Sequence, residues 1–385
     1  MRIVYLYYSL SILGGLERVL SDKMNYLAEN GFDIYFITCD QCGQPFSYSL
    51  SAKIHHHDLG GIRYHSIYAY PYPQRFWAIH KFEKDYKKRV TKKLHEIKPD
   101  IIIGNTSFNT VLIASLPYPC KKIVESHLAQ PFTMKAGPKH AYLNKLEYGL
   151  KTIYDRYFIH QMKKFDELVV LTKQDKTDWQ QFRSATYIPN PLTYFPDKVK
   201  DDTENKRIIA VGRLYAQKGF DLLAEAWAKI ANKYPEWNIT IYGEGNEKQD
   251  IEGCIKRLHI EDSFMIHPAI SNITDKYLES DFLVLSSRAE GFGLVLIEAM
   301  SCGIPCVSFN CPSGPDEIIT DQYDGLIAQN GNVDDLALKI EYMITHKEER
   351  KQMGKKARIS SEKYKIENVM QQWIELFNSL LKRPE

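Results

Sequence analysis

Two glutamates, Glu290 and Glu298, bracket a glycine-containing segment whose residue types could bind a phosphorylated, hydroxyl-bearing ligand. Gly291 and Gly293 remove side chains where the backbone turns, so the amides of Gly293 and Leu294 can point outward at a helix N-terminus, a favourable place for phosphate. Glu298 lies about 6 Å further along that helix, within reach of a group attached to the phosphate. Carboxylates beside an anion site indicate recognition of hydroxyl groups.

A buried strand and a helix must position these residues. Asp281–Ser286 is short and apolar and predicts the strand, and Leu294–Cys302 predicts a helix that ends before Gly303. Glu290 would then lie at the carboxyl end of its strand, where open parallel sheets bind ligands. The alternative is an ordinary crossover with a solvated Glu298, and it would be preferred for either carboxylate alone.

Two cations, Arg213 and Lys218, follow the predicted strand Ile208–Val211 and precede another helix. A guanidinium fork and a compact ammonium suit a diphosphate. The alternative is a pair of solvated loop cations, and it would be preferred if the glutamate segment were absent from the same domain.

These segments resemble motifs of the retaining, GT-B type nucleotide-sugar glycosyltransferases of family 4. Glu290–Glu298 is similar to the E-x7-E motif of that family, and residues 211–220 are similar to its G-R-x4-K-G segment. The resemblance implies that Arg213 and Lys218 hold the donor diphosphate. It also implies that Glu290 contacts the donor sugar near O3 and O4, and that Glu298 binds the ribose hydroxyls.

Weaker matches add glycines to the donor site. Gly14 and Gly15 resemble the G-G-x-E-R loop, whose glycines let the amino-terminal domain close over the diphosphate, and Gly243 follows the predicted strand Asn238–Tyr242. The donor-binding residues that the resemblance implies are Gly14, Gly15, Arg213, Lys218, Gly243, Glu290, Gly291, Phe292, Gly293, Leu294 and Glu298. The residues it places nearest the reaction are His127, Arg213, Lys218 and Glu290.

His127 follows the predicted strand Lys122–Glu125 almost directly. The resemblance places a histidine there close to the reacting sugar, where it would bind the primary hydroxyl of the donor sugar or orient the acceptor without acting as the base. The alternative is a structural histidine that caps a loop. The segment Leu128–Tyr157, which contains Lys135 and His140 among its basic residues, is expected to help form the acceptor wall.

The fold expected from the length and pattern is α/β. A chain of 385 residues exceeds the size at which one core keeps growing, and strands alternate with helices in both halves, so two doubly wound, Rossmann-like sheets are predicted. The resemblance implies that the two domains face each other across a cleft. The predicted strands of the first half are Ile3–Leu6, Phe32–Ile37, Ile101–Ile103, Lys122–Glu125 and Glu167–Leu171.

The predicted domains are an acceptor-binding domain over 1–190, a donor-binding domain over 191–365 and a terminal helix over 366–385. Prolines in Ile188–Pro191 and the polar run Asp197–Lys206 mark the linker. An apolar stripe runs along Ile366–Leu381 at helical spacing. The resemblance implies that this helix crosses back to the first domain, with Trp373 and Phe377 as its anchors.

The formal net charge is +2, but residues 1–200 hold 28 Lys and Arg against 18 Asp and Glu, a local excess of +10. Tyr64–Lys93 interleaves aromatic residues with cations, a pattern that suits an anionic membrane surface, where each Lys or Arg contributes about 1 kcal/mol. A solvated helix whose aromatic residues pack inward is an equal alternative. No nucleic-acid motif accompanies the patch, so nucleic acid is a poorer interpretation.

Seven scattered cysteines and no recognisable export signal favour reduced thiols and a cytoplasmic protein, which could also lie peripherally on the inner face of the membrane. Cys39 and Cys42 lack a second pair of ligands for zinc, and the histidines at 55–57 fit an edge strand better than a metal site. Asp-x-Asp is absent from the sequence. The resemblance implies that Arg213, Lys218 and helix amides replace a metal, so neither a metal nor a cofactor is expected.

The expected activity is retaining transfer of a hexose or N-acetylhexosamine from a nucleoside diphosphate, with uridine as the family preference, to a hydroxyl of a glycan or polyprenyl-linked acceptor. The product would have an α-linkage and serve surface polysaccharide or glycolipid biosynthesis. One alternative is a catalytically silent nucleotide-sugar-binding protein on the same fold. Another is a nicotinamide oxidoreductase, which needs G-x-G-x-x-G where residues 9–16 supply only two glycines.

Overall fold

The computed structural model describes residues 1–60, 70–71, 74–106, 110–127, 156–180, 183–270 and 272–382. The predicted α/β class is confirmed, because the chain forms two compact units that are each built on an open parallel sheet. Unit 1 comprises Met1–Thr193 and Ile366–Glu385, and unit 2 comprises Tyr194–Lys365. The domain boundaries predicted from the sequence lie after residue 190 and after residue 365.

The sheet of unit 1 is parallel throughout its described strands, in the order β3-β2-β1-β4-β5-β6-β7. Buried apolar runs form its centre, and the three histidines form the edge strand, as predicted. The strands are β1 (Arg2–Leu6), β2 (Asp33–Thr38), β3 (His55–Asp58), β4 (Ile101–Asn105), β5 (Lys121–Ser126), β6 (Glu167–Val170) and β7 (Thr186–Tyr187).

Helices cover this sheet, and one of them begins with a side-chain cap. They include α1 (Gly15–Glu29), α2 (Gln74–Ile97), α3 (Thr110–Ala114) and α4 (Lys173–Gln180), and residues 156–162 are helical as well. Thr172 Oγ1 accepts a hydrogen bond from the amide of Asp175 over 3.0 Å, which stabilises the start of α4.

Helix α2 divides the aromatic residues of the basic segment between core and surface. Phe82 and Tyr86 are buried, and their stacked rings lie 5.6 Å apart. These two aromatic residues therefore pack inward, as the alternative of a solvated helix predicts. Trp77 is 68% exposed. Residues 64–69 and 72–73 of the segment lie outside the described part. Within the described residues, no helix is long and apolar enough to cross a bilayer.

The sheet of unit 2 has the order β10-β9-β8-β11-β12-β13, again with parallel pairing. The order reverses between β8 and β11, and open sheets of this type bind ligands beyond the carboxyl ends of the strands at such a switch point. The strands are β8 (Arg207–Val211), β9 (Asn238–Tyr242), β10 (Phe264–His267), β11 (Phe282–Leu285), β12 (Cys306–Phe309) and β13 (Gly325–Ala328).

The helices of unit 2 pack on both faces of its sheet around a core that includes Trp227, Trp237 and Phe282. Strand β11 begins one residue later and ends one residue earlier than predicted. The carboxylate of Asp281, just before it, accepts hydrogen bonds from the Asn205 and Arg207 amides. The helices are α5 (Phe220–Ala228), α6 (Lys248–Arg257), α7 (Thr274–Leu278), α8 (Leu294–Ser301), α9 (Pro315–Ile318), α10 (Val333–Thr345) and α11 (Lys347–Ser361).

The terminal helix, α12 (Ile366–Lys382), belongs to unit 1. Trp373 and Phe377 are both buried in a core that they share with Met24 of α1. The Phe377 ring lies edge-on to Phe32, with centroids 6.4 Å apart. The apolar stripe read from the sequence is therefore the face by which α12 completes the core of unit 1.

Candidate active site

Two loops meet at the switch point of unit 2. One follows β8 and spans residues 212–219, and the other follows β11 and spans residues 286–293. Strands β8 and β11 pair in parallel, with Phe282 opposite Ile208, so their carboxyl ends lie side by side. The sheet thereby brings together the predicted cation segment and the predicted glutamate segment. Lys218 of the first and Glu290 of the second are 72 residues apart in the sequence.

Lys218 and Glu290 form the central contact between these loops. Lys218 Nζ lies 2.6 Å from Glu290 Oε1, and the side chains are 19% and 8% exposed. Ser287 Oγ donates a second hydrogen bond to the same oxygen over 2.6 Å. Charge-assisted bonds of this length are strong when water is largely excluded, so the loops present an ordered cation beside an ordered carboxylate.

Further hydrogen bonds join the two loops, and the sequence reading did not assign them. The amide of Arg288 donates to the Gln217 carbonyl, and the Gln217 side chain donates back to the Ala289 carbonyl, each over 2.8 Å. The Arg288 guanidinium also binds both oxygens of Asp221, over 2.9 and 2.6 Å. The opposite charges were visible in the sequence, but their pairing follows from the sheet order.

Gly219 is required where the loops approach most closely. Its φ is +62°, and a Cβ there would overlap the carbonyl oxygen of Ser286. The hydroxyl of Ser286 donates to the carbonyl of Lys218 over 3.0 Å across the same gap. A side chain at position 219 would therefore separate the loop that carries Lys218 from the loop that carries Glu290.

The start of α8 supplies amides next to Glu290. Gly293 is the N-cap with φ +100° and ψ 52°, and no side chain caps the helix. First-turn amides such as that of Leu294 carry the positive end of the helix dipole, which favours a phosphate. Gly291 precedes this turn. The Phe292 side chain is buried edge-on against Tyr364 with centroids 5.7 Å apart, so only its backbone could touch a ligand.

Glu298 is held by a residue that the sequence reading missed. The hydroxyl of Tyr277, on α7, donates to Glu298 Oε2 over 2.9 Å. Burial and the neighbouring Glu298 raise the pKa of Tyr277 well above its ordinary value. The phenol therefore remains a donor at neutral pH, and the carboxylate keeps one orientation.

Arg213 lies on the same loop as Lys218, and Gly243 lies at the end of the neighbouring strand β9. The Arg213 side chain is exposed, and its guanidinium carbon lies 5.3 Å from the centre of the Tyr215 ring. Gly243 directly follows β9, and its amide donates to the His267 carbonyl over 3.0 Å. Both positions follow strands adjacent in the sheet, so the structure places them at the same edge as the central pair.

In unit 1, the predicted glycines Gly14 and Gly15 begin α1, with Gly14 as the N-cap. The Glu17 carboxylate folds back over Gly14 and fills the space that a side chain would need there. Its Oε1 accepts hydrogen bonds from the hydroxyls of Tyr7 and Tyr8 over 3.0 and 3.2 Å. The loop is thus held by a buried acid one helical turn away.

His127, also in unit 1, follows β5 and contacts a buried ion pair. Its Nε2 lies 3.1 Å from Glu125 Oε2, which is also 2.6 Å from Lys23 Nζ. Burial alone would raise the pKa of Glu125, but Lys23 and His127 outweigh burial and hold the pKa at about 2. The expected acceptor wall over 128–157 lies outside the described residues, except for 156–157.

A metal site is not evident in the part of the chain that the structure describes, where no three His, Cys, Asp or Glu side chains gather around one point. The charged groups at the switch point include the Lys218–Glu290 pair and the exposed Arg213. This arrangement can bind a diphosphate through cations and amides, and it can bind hydroxyl groups through carboxylates.

Known proteins resemble this chain over nearly its whole length. An uncharacterized glycosyltransferase of Haemophilus influenzae is 31% identical over 94% of this chain and 95% of its own length. The amylovoran biosynthesis glycosyltransferase AmsD of Erwinia amylovora is 25% identical over 95% of this chain and 96% of its own length.

Solved structures share the fold at low identity. Sucrose-phosphate synthase from Thermosynechococcus elongatus has a TM-score of 0.81 and 16% identity, with 99% of both chains covered. A mutant of Staphylococcus aureus TarM in complex with fondaparinux, α-GlcNAc-glycerol and UDP has a TM-score of 0.78 and 16% identity, with 98% of this chain and 99% of TarM covered.

Two family descriptions divide the chain between them. Residues 13–193 match Glycosyltransferase Family 4, and residues 194–360 match Glycosyl transferases group 1. Together with the 31% identity to a glycosyltransferase over most of the chain and the two parallel sheets, these matches identify an enzyme. The chain belongs to glycosyltransferase family 4 and has the GT-B fold.

Proposed function

We propose that this enzyme is a retaining glycosyltransferase that moves a hexose or N-acetylhexosamine from a UDP-sugar to a hydroxyl of a glycan or lipid-linked acceptor, with an α-linkage in the product. Unit 2 binds the donor, and unit 1 binds the acceptor. The product would be a surface polysaccharide or a glycolipid.

The observation that carries this proposal is the Lys218–Glu290 contact of 2.6 Å at the switch point of unit 2. A bound donor would offer a diphosphate to Lys218 and sugar hydroxyls to Glu290, so the two side chains would exchange part of their mutual contact for contacts with the donor. Glu298, held by Tyr277, lies on the adjacent helix, where it would accept hydrogen bonds from the ribose.

The chemistry proposed is front-face substitution. The bond between the anomeric carbon and the diphosphate oxygen breaks, the acceptor oxygen bonds to the same face of that carbon, and the departing phosphate oxygen takes the acceptor proton. Lys218, Arg213 and the amides of Gly293 and Leu294 stabilise the charge that grows on the leaving diphosphate. Since the donor itself accepts the proton, no side chain needs to act as a nucleophile.

The uridine and acceptor assignments are supported by the relatives. TarM, which shares the fold, was solved with UDP and α-GlcNAc-glycerol, and AmsD acts in amylovoran biosynthesis. The proposed independence of a metal is supported by the cations and helix amides at the switch point, which can neutralise a diphosphate.

A membrane-facing surface is also proposed, on unit 1. Trp77, Lys81, Lys84, Lys88 and Lys92 are exposed and recur at intervals of three or four residues, so they share one face of α2. Lysines beside an interfacial aromatic residue are typical of contact with an anionic leaflet. This face, here called the α2 basic face, would bring the enzyme to a lipid-linked acceptor.

The test of the donor site is thermal stabilisation in EDTA by nucleoside diphosphates and their sugars, on wild type and on Glu298→Ala and Arg213→Ala. We expect UDP and UDP-sugars to raise the Tm of the wild type in EDTA and to raise it less in both variants. Release of UDP and transfer of labelled sugar would then be measured with the stabilising donor.

The same assay separates the alternatives. Stabilisation by UDP-sugars without hydrolysis or transfer to any of a panel of glycan and lipid-linked acceptors would indicate a silent binding protein. Stabilisation by NAD or NADP alone would contradict the donor-site assignment. Inversion at the anomeric carbon of the product, read from the proton coupling constant by NMR, would contradict the retaining mechanism.

A further inference from the structure

The contact of His127 with a buried ion pair has no part in the reaction described above. Lys23 on α1 and Glu125 on β5 have side chains that are each only 2% exposed, with Nζ 2.6 Å from Oε2. The same Oε2 lies 3.1 Å from His127 Nε2. A single carboxylate oxygen therefore binds both the ammonium and the imidazole.

Stability alone is a weak reason to bury such a pair. Removing two charges from water offsets most of their attraction, and apolar residues of similar volume often serve as well or better. A carboxylate at position 125 is explained if the imidazole beside it needs a fixed hydrogen-bond acceptor. Lys23 in turn keeps that carboxylate ionised.

We propose that Glu125, held by Lys23, is a positioning residue that fixes the ring and the tautomer of His127, with the hydrogen on Nε2 and the lone pair on Nδ1. An ionised carboxylate accepts hydrogen bonds and cannot donate one, so the imidazole nitrogen that faces it must carry the hydrogen. This inference rests on the proposed function for its purpose, because Nδ1 would then accept a hydrogen bond from a sugar or acceptor hydroxyl.

Helix α12 completes the support. Lys23 Nζ lies 3.6 Å from the centre of the Trp373 ring, and Trp373 is 2% exposed. The ring face attracts the ammonium and excludes water from it. Lys23 therefore donates to Glu125 from a fixed position, and the support of His127 extends from α12 through α1 to β5.

The experiment measures the tautomer directly in the full-length protein labelled with 15N at histidine. In a neutral imidazole, the nitrogen that carries hydrogen and the one with the lone pair have well-separated 15N signals, and a His127→Asn variant identifies the signals of His127. We expect the wild type to carry the hydrogen on Nε2. A wild-type protein with the hydrogen on Nδ1 would overturn the proposal without need of any variant.

The double variant Lys23→Met/Glu125→Leu replaces the pair by apolar side chains, which should preserve the fold. We expect His127 to become a mixture of both tautomers, and kcat for sugar transfer to fall about tenfold with little change in donor KM. The control is Arg350→Met/Glu204→Leu, because Arg350 is buried, paired with Glu204 and stacked on Trp237 in unit 2. An unchanged tautomer in the first double variant, with circular dichroism showing a folded protein, would also overturn the proposal.

The positioning role of Glu125 and the proposed function can be contradicted independently. If the tautomer responds as expected but neither protein transfers sugar to any acceptor, the positioning role stands and the proposed function fails. If sugar transfer is normal in the wild type and the tautomer is unaffected by the double variant, the proposed function stands and the positioning role fails.

Discussion

The phenol of Tyr277 donates a hydrogen bond to Oε2 of Glu298 over 2.9 Å, so a buried residue 21 positions earlier in the chain orients one of the two motif glutamates. Tyr277 lies on α7 and Glu298 on α8, which are neighbouring helices of unit 2. The orientation of this carboxylate is therefore set by the fold before any nucleotide binds.

The first prediction is that Tyr277→Phe weakens binding of the nucleoside diphosphate about fivefold, since a hydrogen bond that orients Glu298 is worth about 1 kcal/mol. Isothermal titration calorimetry measures the effect. Tyr234→Phe is the matched control. Tyr234 also donates a hydrogen bond to a glutamate, over 3.0 Å, but that glutamate is Glu341 on α10, away from the switch point. Equal losses in both variants would contradict a specific role for Tyr277.

The second prediction concerns Lys218→Met. Removing the ammonium leaves the Glu290 carboxylate 8% exposed without its cation, so we expect a loss of about 1–3 kcal/mol in the free energy of unfolding. We also expect kcat to fall on the order of 100-fold, because the role proposed for this cation is to stabilise the leaving diphosphate. Urea unfolding and release of UDP measure the two effects.

The control for Lys218 is Lys229→Met. Lys229 pairs with Asp334 over 2.8 Å, but their side chains are 48% and 77% exposed. Removing an exposed pair changes stability by less than about 1 kcal/mol. A similar fall in kcat in Lys229→Met would mean that the lower kcat of Lys218→Met results from the loss of any positive charge, and not from the position of Lys218 at the switch point.

The third prediction compares two glycines in unit 2. Gly219→Ala should destabilise the protein by about 1–3 kcal/mol and weaken nucleotide binding, because φ is +62° and the new methyl meets the Ser286 carbonyl. Gly253→Ala should instead stabilise it by about 0.5–1 kcal/mol, because Gly253 lies inside α6 with nothing within 4 Å of the new atom. Thermal and urea unfolding of both variants would check the opposite signs.

Local elements were largely predictable from the sequence because each depends on its own residues. Asn238–Tyr242 is a strand over the predicted residues, and Leu294–Ser301 differs from its prediction by one residue, because Cys302 caps the helix. Parallel strands are buried on both faces and therefore read as short apolar runs. Such runs also indicated two doubly wound sheets, which the structure confirms.

Long-range pairing was not predictable in the same way. The pairing of Arg288 with Asp221 spans 67 residues, and no local pattern indicates which carboxylate a given arginine will meet. The support of His127 by Lys23 likewise depends on α1 packing beside β5, which only the assembled sheet determines. The motif residues were therefore recognisable, whereas the residues that hold them were found only in the structure.

The fourth prediction is an acid-sensitive contribution from Glu125. Burial alone would raise its pKa, but Lys23 and His127 hold it at about 2 in the folded protein, against about 4.3 in an unfolded chain. Between these values the unfolded chain binds more protons, so the contribution is fully present above about pH 5 and is lost as the pH falls toward 2.

Urea unfolding at several pH values measures this contribution. The free energy of unfolding should fall less steeply between pH 5 and pH 3 in Lys23→Met/Glu125→Leu than in the wild type, since the variant has no carboxylate at position 125 to protonate. Parallel curves for the two proteins would show that Glu125 does not titrate differently in the folded and unfolded states.

The fifth prediction tests the α2 basic face. Lys81→Gln/Lys88→Gln should weaken binding to vesicles that contain anionic lipid about 30-fold, since each lysine contributes about 1 kcal/mol near such a surface. Sedimentation with vesicles measures this, and neutral vesicles should bind neither protein. Lys248→Gln/Lys256→Gln, an equal charge change on the exposed side of α6, should leave binding unchanged.

The burial of Trp373 and Phe377 in unit 1 also sets the order in which the two units can mature on the ribosome. Unit 2 is a continuous stretch, Tyr194–Lys365, and all its residues leave the exit tunnel before α12 does. Met1–Thr193 is synthesised earlier, yet the part of its core that packs against Trp373 and Phe377 stays uncovered until α12 emerges. The half of the enzyme that is made first is therefore the half that closes its core last.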